Sequence, residues 1–474
     1  MGDAHPTIIF VTSRVFMTQC TKESLRKENF SLINTPRAFH IITYGCQMNK
    51  CDSEVLASIL KEEGYYYTDD FQTADILLLN TCSVRDTAER KVLGRLERLR
   101  HLKEDRPGMI LGVCGCMAQS WEHELMEKFP HIDFVLGTSR LAELPKLIRE
   151  VQETGRSVID VSEVAPQNEP IPTVRESSVT AWVTIMHGCD NFCSYCIVPY
   201  VRGRERSRSA SEILQEVKYL AESGYKEITL LGQNVNSYGL DTEESLDFAG
   251  LLALINDNSP GIERIRFTTS HPKDVSEKLI DAIANLPKVC KHFHLPAQAG
   301  SNNVLRRMNR GYTREHYMSL VDRLRLKIPL ISITTDLIVG FPGETERDFQ
   351  DTVDLVEKVG FDIAFCFRYS PRRGTPAASM EDQLPEDVKM KRLYELLEIQ
   401  DMISISKNKA LIGTAHDILV EGRNPKDKSQ LLGRTDTNKI VFFTEGDDLI
   451  GQIVTVSITD SGNWSLRGEL IRGY

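Results

Sequence analysis

Short apolar runs alternate with segments of helical periodicity from about residue 37 onward. The runs are rich in β-branched and large apolar side chains, which is typical of buried strands, and they cover residues 39–44, 75–80, 108–113 and 132–136. Apolar residues three and four positions apart predict helices over residues 51–63, 85–103, 118–129 and 140–152. Strands that alternate with helices build a parallel sheet covered by helices. We therefore predict an open parallel-sheet α/β domain over residues 37–153.

A second alternating series begins near residue 180, after a segment over 153–178 whose Glu, Pro, Ser and Val content is typical of a linker. Its candidate strands cover residues 182–186, 227–231, 265–269, 292–295, 331–339 and 362–368. The pattern predicts helices over 209–223, 245–257, 274–286, 302–327 with a break near Gly311, 345–358 and 385–407. Six strands with helices between them favour a partial (β/α)6 barrel over a closed eight-fold barrel. We assign this second domain to residues 175–407.

The last part of the chain, residues 408–474, changes to short strands separated by turns. Candidate strands lie at 415–420, 439–443 and 451–458, which favours a small β-barrel. Such barrels often bind nucleic acid through basic and aromatic side chains, and both kinds are present here beside a similar number of acidic residues. Residues 1–36 show weak periodicity and no motif, so we treat them as an extension of unknown role.

Composition excludes several classes of protein. The 474 residues are too many for one core, and 41% hydrophobic and 26% charged residues are ordinary for a globular protein. A net charge of −10 argues against non-specific coating of nucleic acid. We find neither an apolar run of about 20 residues, as a membrane span needs, nor a secretory signal. Together with eleven cysteines, this favours a cytoplasmic protein with ligand or catalytic thiols.

Three cysteines share one short loop, Cys189, Cys193 and Cys196. A closed zinc site uses four ligands, commonly in CxxC pairs. Three thiolates instead suit three irons of a cubane cluster and leave the fourth iron open to bind another molecule. The alternative is a structural zinc site with a distant fourth ligand.

Three further cysteines each follow a predicted strand of the first domain, Cys46, Cys82 and Cys116. The carboxyl ends of parallel strands form the ligand-binding edge of an open α/β sheet, and neighbouring strands are about 5 Å apart. These thiols can therefore meet at one second cluster. The alternative is that all three are buried structural cysteines. Cys114 is also a candidate for the third ligand in place of Cys116. We prefer Cys116 because Cys114 should still lie in the strand, while Gly115 lets the chain turn.

The other cysteines are not expected to bind metal. Cys51 falls within the first predicted helix and has no equivalent after the other strands. We interpret Cys20, Cys290 and Cys366 as non-ligands.

Polar segments follow or end the strands of the second domain, at residues 232–236, 269–271, 296–298 and 340–344. Barrel active sites lie at the carboxyl ends of strands, so these segments should surround the three-cysteine loop. Each of these segments, taken alone, could simply form a turn. A basic cluster, Arg202, Arg204 and Arg206, follows the loop and could contact phosphates, or form a solvated helix entry.

These motifs together resemble the methylthiotransferases of the radical-SAM superfamily, and most closely the MiaB branch, which acts on tRNA. The resemblance covers about residues 37–474. It rests on the segments Gly45–Asn49, Asn80–Arg85, Gly115–Ala118, Gly188–Ser207, Leu231–Gly239, Leu295–Ser301 and Met308–Tyr312. The C-terminal module is similar to a TRAM domain, which in this family binds tRNA.

The resemblance implies two 4Fe-4S clusters and S-adenosylmethionine. The cluster on Cys189, Cys193 and Cys196 would generate a 5′-deoxyadenosyl radical. The auxiliary cluster on Cys46, Cys82 and Cys116 would deliver sulfur to C2 of an N6-isopentenyladenosine next to the anticodon. A second S-adenosylmethionine would supply the methyl group. The implied partners are tRNA and a reductase such as flavodoxin or ferredoxin, and we expect a monomer.

Position in the sequence adds candidate contacts to the cofactor. Tyr195 could stack near its adenine, and its ribose or methionine end could be bound by Gln233, Asn234, Gln298 and Asp336. Two other functions remain open: a RimO-like enzyme acting on an aspartate of a ribosomal protein, and a non-catalytic RNA-binding iron–sulfur sensor.

Overall fold

A computed structural model describes residues 37–83, 86–163, 172–242 and 245–471. The predicted extension, residues 1–36, lies outside the described residues. Among the described residues, every helix is too short or too polar to cross a lipid bilayer.

The first unit is a six-stranded parallel sheet with strand order β2-β1-β3-β4-β5-β6. Its strands are β1 Ala38–Thr43, β2 Tyr66–Tyr67, β3 Ile76–Thr81, β4 Ile110–Gly115, β5 Phe134–Leu136 and β6 Val158–Asp160. Its helices are α1 Gln47–Glu62, α2 Asp86–Asp105, α3 Cys116–Trp121, α4 His123–Lys128 and α5 Leu144–Thr154. Separate apolar clusters form between the sheet and the helices. The predicted parallel α/β architecture is confirmed.

Two sequence predictions for this unit were wrong. One helix was predicted over 118–129, but α3 and α4 are separate because Glu122 has a φ of +47°, which interrupts helical hydrogen bonding. The predicted linker contains β6, which pairs with β5. Three residues of partly buried strand, Val158–Asp160, are too few for a periodic signal.

The second unit is an open barrel built from two three-stranded parallel sheets, β11-β10-β7 and β12-β13-β14. A backbone bridge between Ile265 and Val289 joins the sheets. The strands are β7 Thr180–Thr184, β10 Glu227–Leu231, β11 Arg264–Phe267, β12 His292–His294, β13 Ser332–Val339 and β14 Ile363–Arg368. In the described part of the chain β7 and β14 are edge strands. The predicted partial (β/α)6 barrel is confirmed.

Helices cover the outside of this barrel around one large apolar core. They are α6 Val198–Val201, α7 Ala210–Glu222, α8 Phe248–Asn258, α9 Glu277–Asn285, α10 Asn302–Arg307, α11 Arg314–Lys327, α12 Glu346–Val359 and α13 Glu386–Lys409. The predicted break near Gly311 separates α10 from α11, and Gly311 has a φ of +70°. A two-stranded ribbon, β8 Met186–His187 and β9 Arg206–Ser207, flanks the three-cysteine loop.

The third unit is a closed five-stranded barrel with strand order β15-β16-β17-β19-β18. Its strands are β15 Ala415–Arg423, β16 Leu431–Thr435, β17 Ile440–Phe443, β18 Ile453–Ser461 and β19 Ser465–Leu470. The predicted small β-barrel is confirmed, and β16 and β19 complete the closure. Both strands contain glycine and charged residues, and in β16 two of the three buried positions are Gly433 and Thr435, so a hydrophobicity pattern does not reveal them.

Candidate active site

Three thiols meet at the carboxyl edge of the first sheet. Cys46 caps α1 directly after β1, Cys82 follows β3, and Cys116 is the first residue of α3 after β4. These three strands are neighbours in register, so each thiol leaves the sheet beside the next. A hydrogen bond with Cys82 lowers the pKa of Cys46 to about 6, against the opposing effect of burial. The structure therefore brings the predicted cysteines together.

A buried amide network fixes the turn that carries Cys46. The Asn49 Nδ2 donates to the Thr81 carbonyl at 2.9 Å, and the Asn80 Nδ2 donates to the Asn49 carbonyl at 2.7 Å. The Cys46 thiol donates to the Asn49 Oδ1 at 3.2 Å. We did not predict this network, although a buried Asn that ends an apolar strand, as Asn80 does, is a recognisable signal.

The structure separates Cys116 from its two competitors. Cys114 lies within β4 and packs in the apolar core. Beyond it, Gly115 turns the chain with a φ of +91°, as predicted, and places Cys116 past the strand. Cys51 lies in α1, where its thiol contacts the Thr184 hydroxyl at 3.4 Å and burial raises its pKa to about 12.

The second cysteine set lies on the loop between β8 and α6. The segment after α10 fixes this loop, since the Ser194 amide donates to the Met308 carbonyl at 3.0 Å. The Asn309 Nδ2 donates to the carbonyls of Asn191 and Phe192 at 3.2 and 3.1 Å. Burial raises the pKa of Cys189 to about 11 and that of Cys196 to about 12, and the charges of the neighbouring loop cysteines add to the shift. Binding to a metal would favour the ionised thiolates and so offset the raised pKa values.

A buried arginine that we did not predict lies beside this loop. The Arg310 Nη1 is 3.3 Å from the Cys193 Sγ, and its Nη2 donates to the Pro296 carbonyl at 2.9 Å. The same guanidinium donates to the hydroxyls of Tyr195 and Tyr312 at 3.4 and 3.1 Å. Arg310 lies between α10 and α11, where the sequence shows only a turn, so its burial depends on tertiary packing.

The first two units pack together close to both cysteine sets. Cys116 packs against Ile197 and Val201, which directly follow the three-cysteine loop. Met48 and Cys51 of α1 pack against Leu231 at the end of β10. The ligand edge of the sheet thus packs against the carboxyl end of the barrel through two small apolar contacts.

The three arginines of the basic cluster after the loop differ in exposure and in partners. Arg202 is buried and pairs with Asp52 of α1 at 2.5 Å, so it cannot meet an external phosphate. The expectation for Arg202 was therefore wrong, because the interface of the two units buries it. Arg204 is exposed, pairs with Asp190 at 2.8 Å and stacks over the Phe192 ring. Arg206 lies half-buried in β9.

Several polar atoms at the barrel mouth are buried without a hydrogen-bond partner in the described structure. They are Gln233 Oε1, Ser270 Oγ and His271 Nε2, and they follow the carboxyl ends of β10 and β11. Buried polar atoms without partners are costly, so they fit a polar ligand that enters the mouth. Burial lowers the pKa of His271 to about 2, so its imidazole is neutral.

Three other residues predicted to contact the cofactor lie in different surroundings: Asn234, Gln298 and Asp336. Asn234 uses its Nδ2 to donate to Asp274 at 2.8 Å and its Oδ1 to accept from the His271 amide at 3.1 Å. Its side chain therefore braces the barrel loops, and its contact with the cofactor stays a prediction. Gln298 has a φ of +67° and lies beside β13. Asp336 lies half-buried on β13, 3.7 Å from the His294 Nε2.

The donor chemistry fits iron–sulfur clusters. Within the described ranges, no three His, Cys, Asp or Glu side chains surround a single metal-ion position. A cubane instead spreads its thiolate ligands over different irons, and each set consists of three cysteines converging from one loop or one sheet edge.

Family models match all three units. Residues 183–356 match the Radical SAM superfamily, residues 38–137 match Uncharacterized protein family UPF0004, and residues 409–471 match the TRAM domain. The barrel with its three-cysteine loop therefore defines a radical-SAM protein.

Full-length relatives specify the family further. The chain is 52% identical to a tRNA-2-methylthio-N(6)-dimethylallyladenosine synthase of Carboxydothermus hydrogenoformans, covering 92% of this chain and 99% of the relative. It is 50% identical to the synthase of the same name from Thermoanaerobacter pseudethanolicus, covering 98% and 99%. The chain belongs to the family of tRNA-2-methylthio-N(6)-dimethylallyladenosine synthases.

Solved structures share the fold at low sequence identity. The radical S-adenosylmethionine methyltransferase TsrM from Kitasatospora setae, with cobalamin and a [4Fe-4S] cluster bound, aligns with a TM-score of 0.55 and 17% identity. The alignment covers 73% of this chain and 74% of TsrM.

Proposed function

We propose that this enzyme adds a methylthio group to C2 of N6-isopentenyladenosine next to the anticodon of tRNA. The observation that carries the proposal is the packing of Cys116 against Ile197 and Val201. This contact joins one cysteine of the sheet edge to the segment that directly follows the loop with Cys189, Cys193 and Cys196. A site with both cysteine sets at one barrel mouth suits a reaction that needs radical chemistry and sulfur together.

Each cysteine set is proposed to bind one 4Fe-4S cluster, Cys189, Cys193 and Cys196 the radical-SAM cluster and Cys46, Cys82 and Cys116 the auxiliary cluster. When bound, the clusters and S-adenosylmethionine supply a 5′-deoxyadenosyl radical, a sulfur atom and a methyl group. Cys116, Ile197 and Val201 form an apolar contact between the two units beside these sets.

The polar barrel mouth is proposed to bind S-adenosylmethionine. Gln233, Ser270 and His271 offer buried polar atoms without partners among the described residues, and Asn234 positions His271 through their shared hydrogen bond. We propose that three more residues line the same mouth: Gln298 after β12, Asp336 on β13 and Tyr195 on the cysteine loop.

Binding of tRNA is proposed to use the C-terminal barrel together with Arg204 and Arg206. Arg204 is exposed at the rim, and its pairing with Asp190 and stacking on Phe192 pre-orient the guanidinium for a phosphate. The target base leaves its stack to reach the mouth. We further propose a cytoplasmic monomer whose electron donor is a flavodoxin- or ferredoxin-type protein.

Nucleoside mass spectrometry of tRNA from a deletion strain tests the reaction. We expect loss of 2-methylthio-N6-isopentenyladenosine, with accumulation of N6-isopentenyladenosine, and recovery on expression of the wild-type chain. Unchanged tRNA with loss of a methylthio group from a ribosomal protein would indicate a RimO-like enzyme. A protein that produces no 5′-deoxyadenosine from S-adenosylmethionine and a reductant would be a sensor.

Replacing the auxiliary cysteines separates the two halves of the reaction. Cys82→Ala should abolish thiolation while S-adenosylmethionine cleavage continues, since the loop cysteines remain. Cys193→Ala should abolish cleavage itself. Loss of cleavage in Cys82→Ala with a complete radical-SAM cluster would contradict the proposed division of roles.

A further inference from the structure

A buried arginine lies beside each cysteine set, and the two arginines are paired differently. Arg202 influences Cys116 and Cys46 electrostatically, and Asp52 pairs with it at 2.5 Å. The Nη1 of Arg310 lies 3.3 Å from the Cys193 Sγ. Both side chains are buried, so water does not screen either charge effectively.

Arg310 has no carboxylate partner in the part of the chain that the structure describes. Its hydrogen bonds go to the Pro296 carbonyl, the hydroxyls of Tyr195 and Tyr312, and the Cys193 sulfur. A buried charge without a counter-ion costs several kcal/mol. The cysteine thiolates and their cluster therefore offer the counter-charge that Arg310 lacks in the protein.

The difference in pairing has an electrostatic consequence. The potential of an iron–sulfur cluster depends on the net charge around it and on hydrogen bonds to its sulfurs. An uncompensated cation favours the reduced cluster, which carries one more negative charge, and so raises its potential. Beside the auxiliary set, the Asp52 carboxylate cancels most of the charge of Arg202, so this arginine raises the potential much less.

We propose that the unpaired Arg310 and the paired Arg202 set the potentials of the two clusters apart, so that the incoming electron reduces the radical-SAM cluster first. The step is transfer of one electron from a flavodoxin- or ferredoxin-type protein to that cluster, and no bond forms or breaks. Arg310 is a positioning residue that acts through Cys193. The inference rests on the proposed function, because it requires a cluster at each cysteine set.

Reduction of the radical-SAM cluster before the auxiliary cluster would serve the proposed reaction. The radical-SAM cluster must take up an electron to act on S-adenosylmethionine, whereas an electron taken up by the auxiliary cluster would not serve that cleavage. The charge pairing described here would keep the auxiliary cluster oxidised while its neighbour is reduced.

Redox titration of the full-length, anaerobically reconstituted protein tests the proposal. The titration is followed by electron paramagnetic resonance without S-adenosylmethionine, and a variant with Cys46, Cys82 and Cys116 changed to Ala assigns the signals. In the wild-type protein the radical-SAM cluster should be reduced at the higher potential. Arg310→Met should lower that potential by at least about 59 mV, a tenfold change in the ratio of oxidised to reduced cluster for one electron. Asp52→Asn should raise only the auxiliary potential.

Two further variants serve as comparisons. Asn191→Ala removes a neutral donor 3.4 Å from the Cys189 Sγ and should lower the radical-SAM potential less than Arg310→Met does. Arg307→Met changes a neighbouring arginine that pairs with Asp382 at 2.7 Å, and should move neither potential.

Several results would overturn the inference. One is an unchanged potential in Arg310→Met with full iron content, including the case in which only binding of S-adenosylmethionine weakens. Another is a wild-type auxiliary cluster that is reduced first. If Arg310→Met loses its cluster, Arg310→Lys, which keeps the charge, must retain the wild-type order of reduction. A wild-type protein without iron at Cys189, Cys193 and Cys196 would instead contradict the proposed function.

Discussion

At the scale of single residues, Cys114 and Cys116 provide the sharpest test of the auxiliary site. We expect Cys116→Ala to lose about four of the roughly eight irons of two cubanes. Cys114→Ala should keep all of them, because the Cys114 side chain packs in the core of the sheet. Iron and sulfide analysis after reconstitution measures the difference.

The stability of both variants serves as the control. Removing the buried Cys114 sulfur should lower the free energy of unfolding by about 1 kcal/mol, as for a small cavity in a core. Retention of about eight irons by Cys116→Ala would contradict the assignment and would make Cys114 the ligand.

The residues that sequence reasoning located correctly share a simple property. Cys46, Cys82 and Cys116 each follow a strand, and the order of parallel strands then dictates that they meet. The placement of Arg202 depended on a contact with α1, 150 positions away, and Arg310 on packing between two barrel helices. Burial of a charged side chain between distant segments leaves no mark in local periodicity, so Arg202 was misplaced and Arg310 was overlooked.

At the scale of elements, the turn from β4 to α3 depends on Gly115. Its φ is +91°, and a Cβ there would lie 2.5 Å from the Thr81 carbonyl oxygen and 2.5 Å from the Asn80 Oδ1. We expect Gly115→Ala to displace Cys116, to lower the free energy of unfolding by about 1–3 kcal/mol, and to lose the auxiliary cluster. Iron content and thermal unfolding of the same preparation measure both effects.

Gly94 provides a matched control for this substitution. It lies within α2, and a methyl group added there would have no other described side chain or neighbouring element within 4 Å. Gly94→Ala should therefore raise stability by about 0.5–1 kcal/mol. Normal iron content in Gly115→Ala would show that the turn tolerates a side chain and that Cys116 does not depend on it.

Element length decided which parts of the fold could be predicted. The long strands and helices of the first two units, such as β13 and α12, were recognisable from periodicity. The two-residue β2 and three-residue β6 gain their structure from pairing with β1 and β5. Such edge pairing is a tertiary effect, so these strands became visible only in the folded sheet.

At the scale of the whole molecule, a buried ionic group joins the first two units. Arg175 pairs with Glu216 of α7 at 2.8 Å and with Glu54 of α1 at 3.5 Å. Burial raises the pKa of Glu54 to about 7, although Arg175 and the Glu176 amide oppose the shift.

The raised pKa of Glu54 predicts a pH dependence of this joint. The folded protein binds more protons than the unfolded chain between the ordinary glutamate pKa of 4.5 and about 7, so stability falls as pH rises through this range. Glu54→Gln mimics the neutral carboxyl. The wild-type protein should therefore lose stability relative to Glu54→Gln as the pH rises from about 5 to 8, as measured by the midpoint of thermal unfolding.

Glu63→Gln is the control, since its ion pair with Arg149 is exposed at the end of the same helix and such pairs contribute little. A difference between wild type and Glu54→Gln that does not vary with pH would contradict the burial of an ionisable Glu54.

The C-terminal barrel is fastened to the radical-SAM barrel through its backbone. Arg264 donates to the carbonyls of Arg434 and Asp417 at 2.6 and 2.9 Å. Arg266 donates to those of Asp436 and Thr435 at 2.8 and 2.7 Å. Because the acceptors are carbonyl groups, these four hydrogen bonds do not depend on side chains of the TRAM domain.

Arg264→Met should loosen this joint by about 2 kcal/mol, the contribution of hydrogen bonds from a charged donor. Arg264 is the better choice because Arg266 also pairs with the buried Glu227 at 2.9 Å, and its loss would leave that carboxylate unpaired. We expect faster amide hydrogen exchange in β15 and β16 and a higher KM for tRNA. Cleavage of S-adenosylmethionine without tRNA should not change, because the cysteine loop and the barrel mouth lie outside the joint.

Arg323→Met, on the surface of α11, should leave exchange in β15 and β16 at the wild-type rate. Unchanged exchange in Arg264→Met would mean that the other contacts of the joint, including those of Arg266, dock the TRAM domain without Arg264.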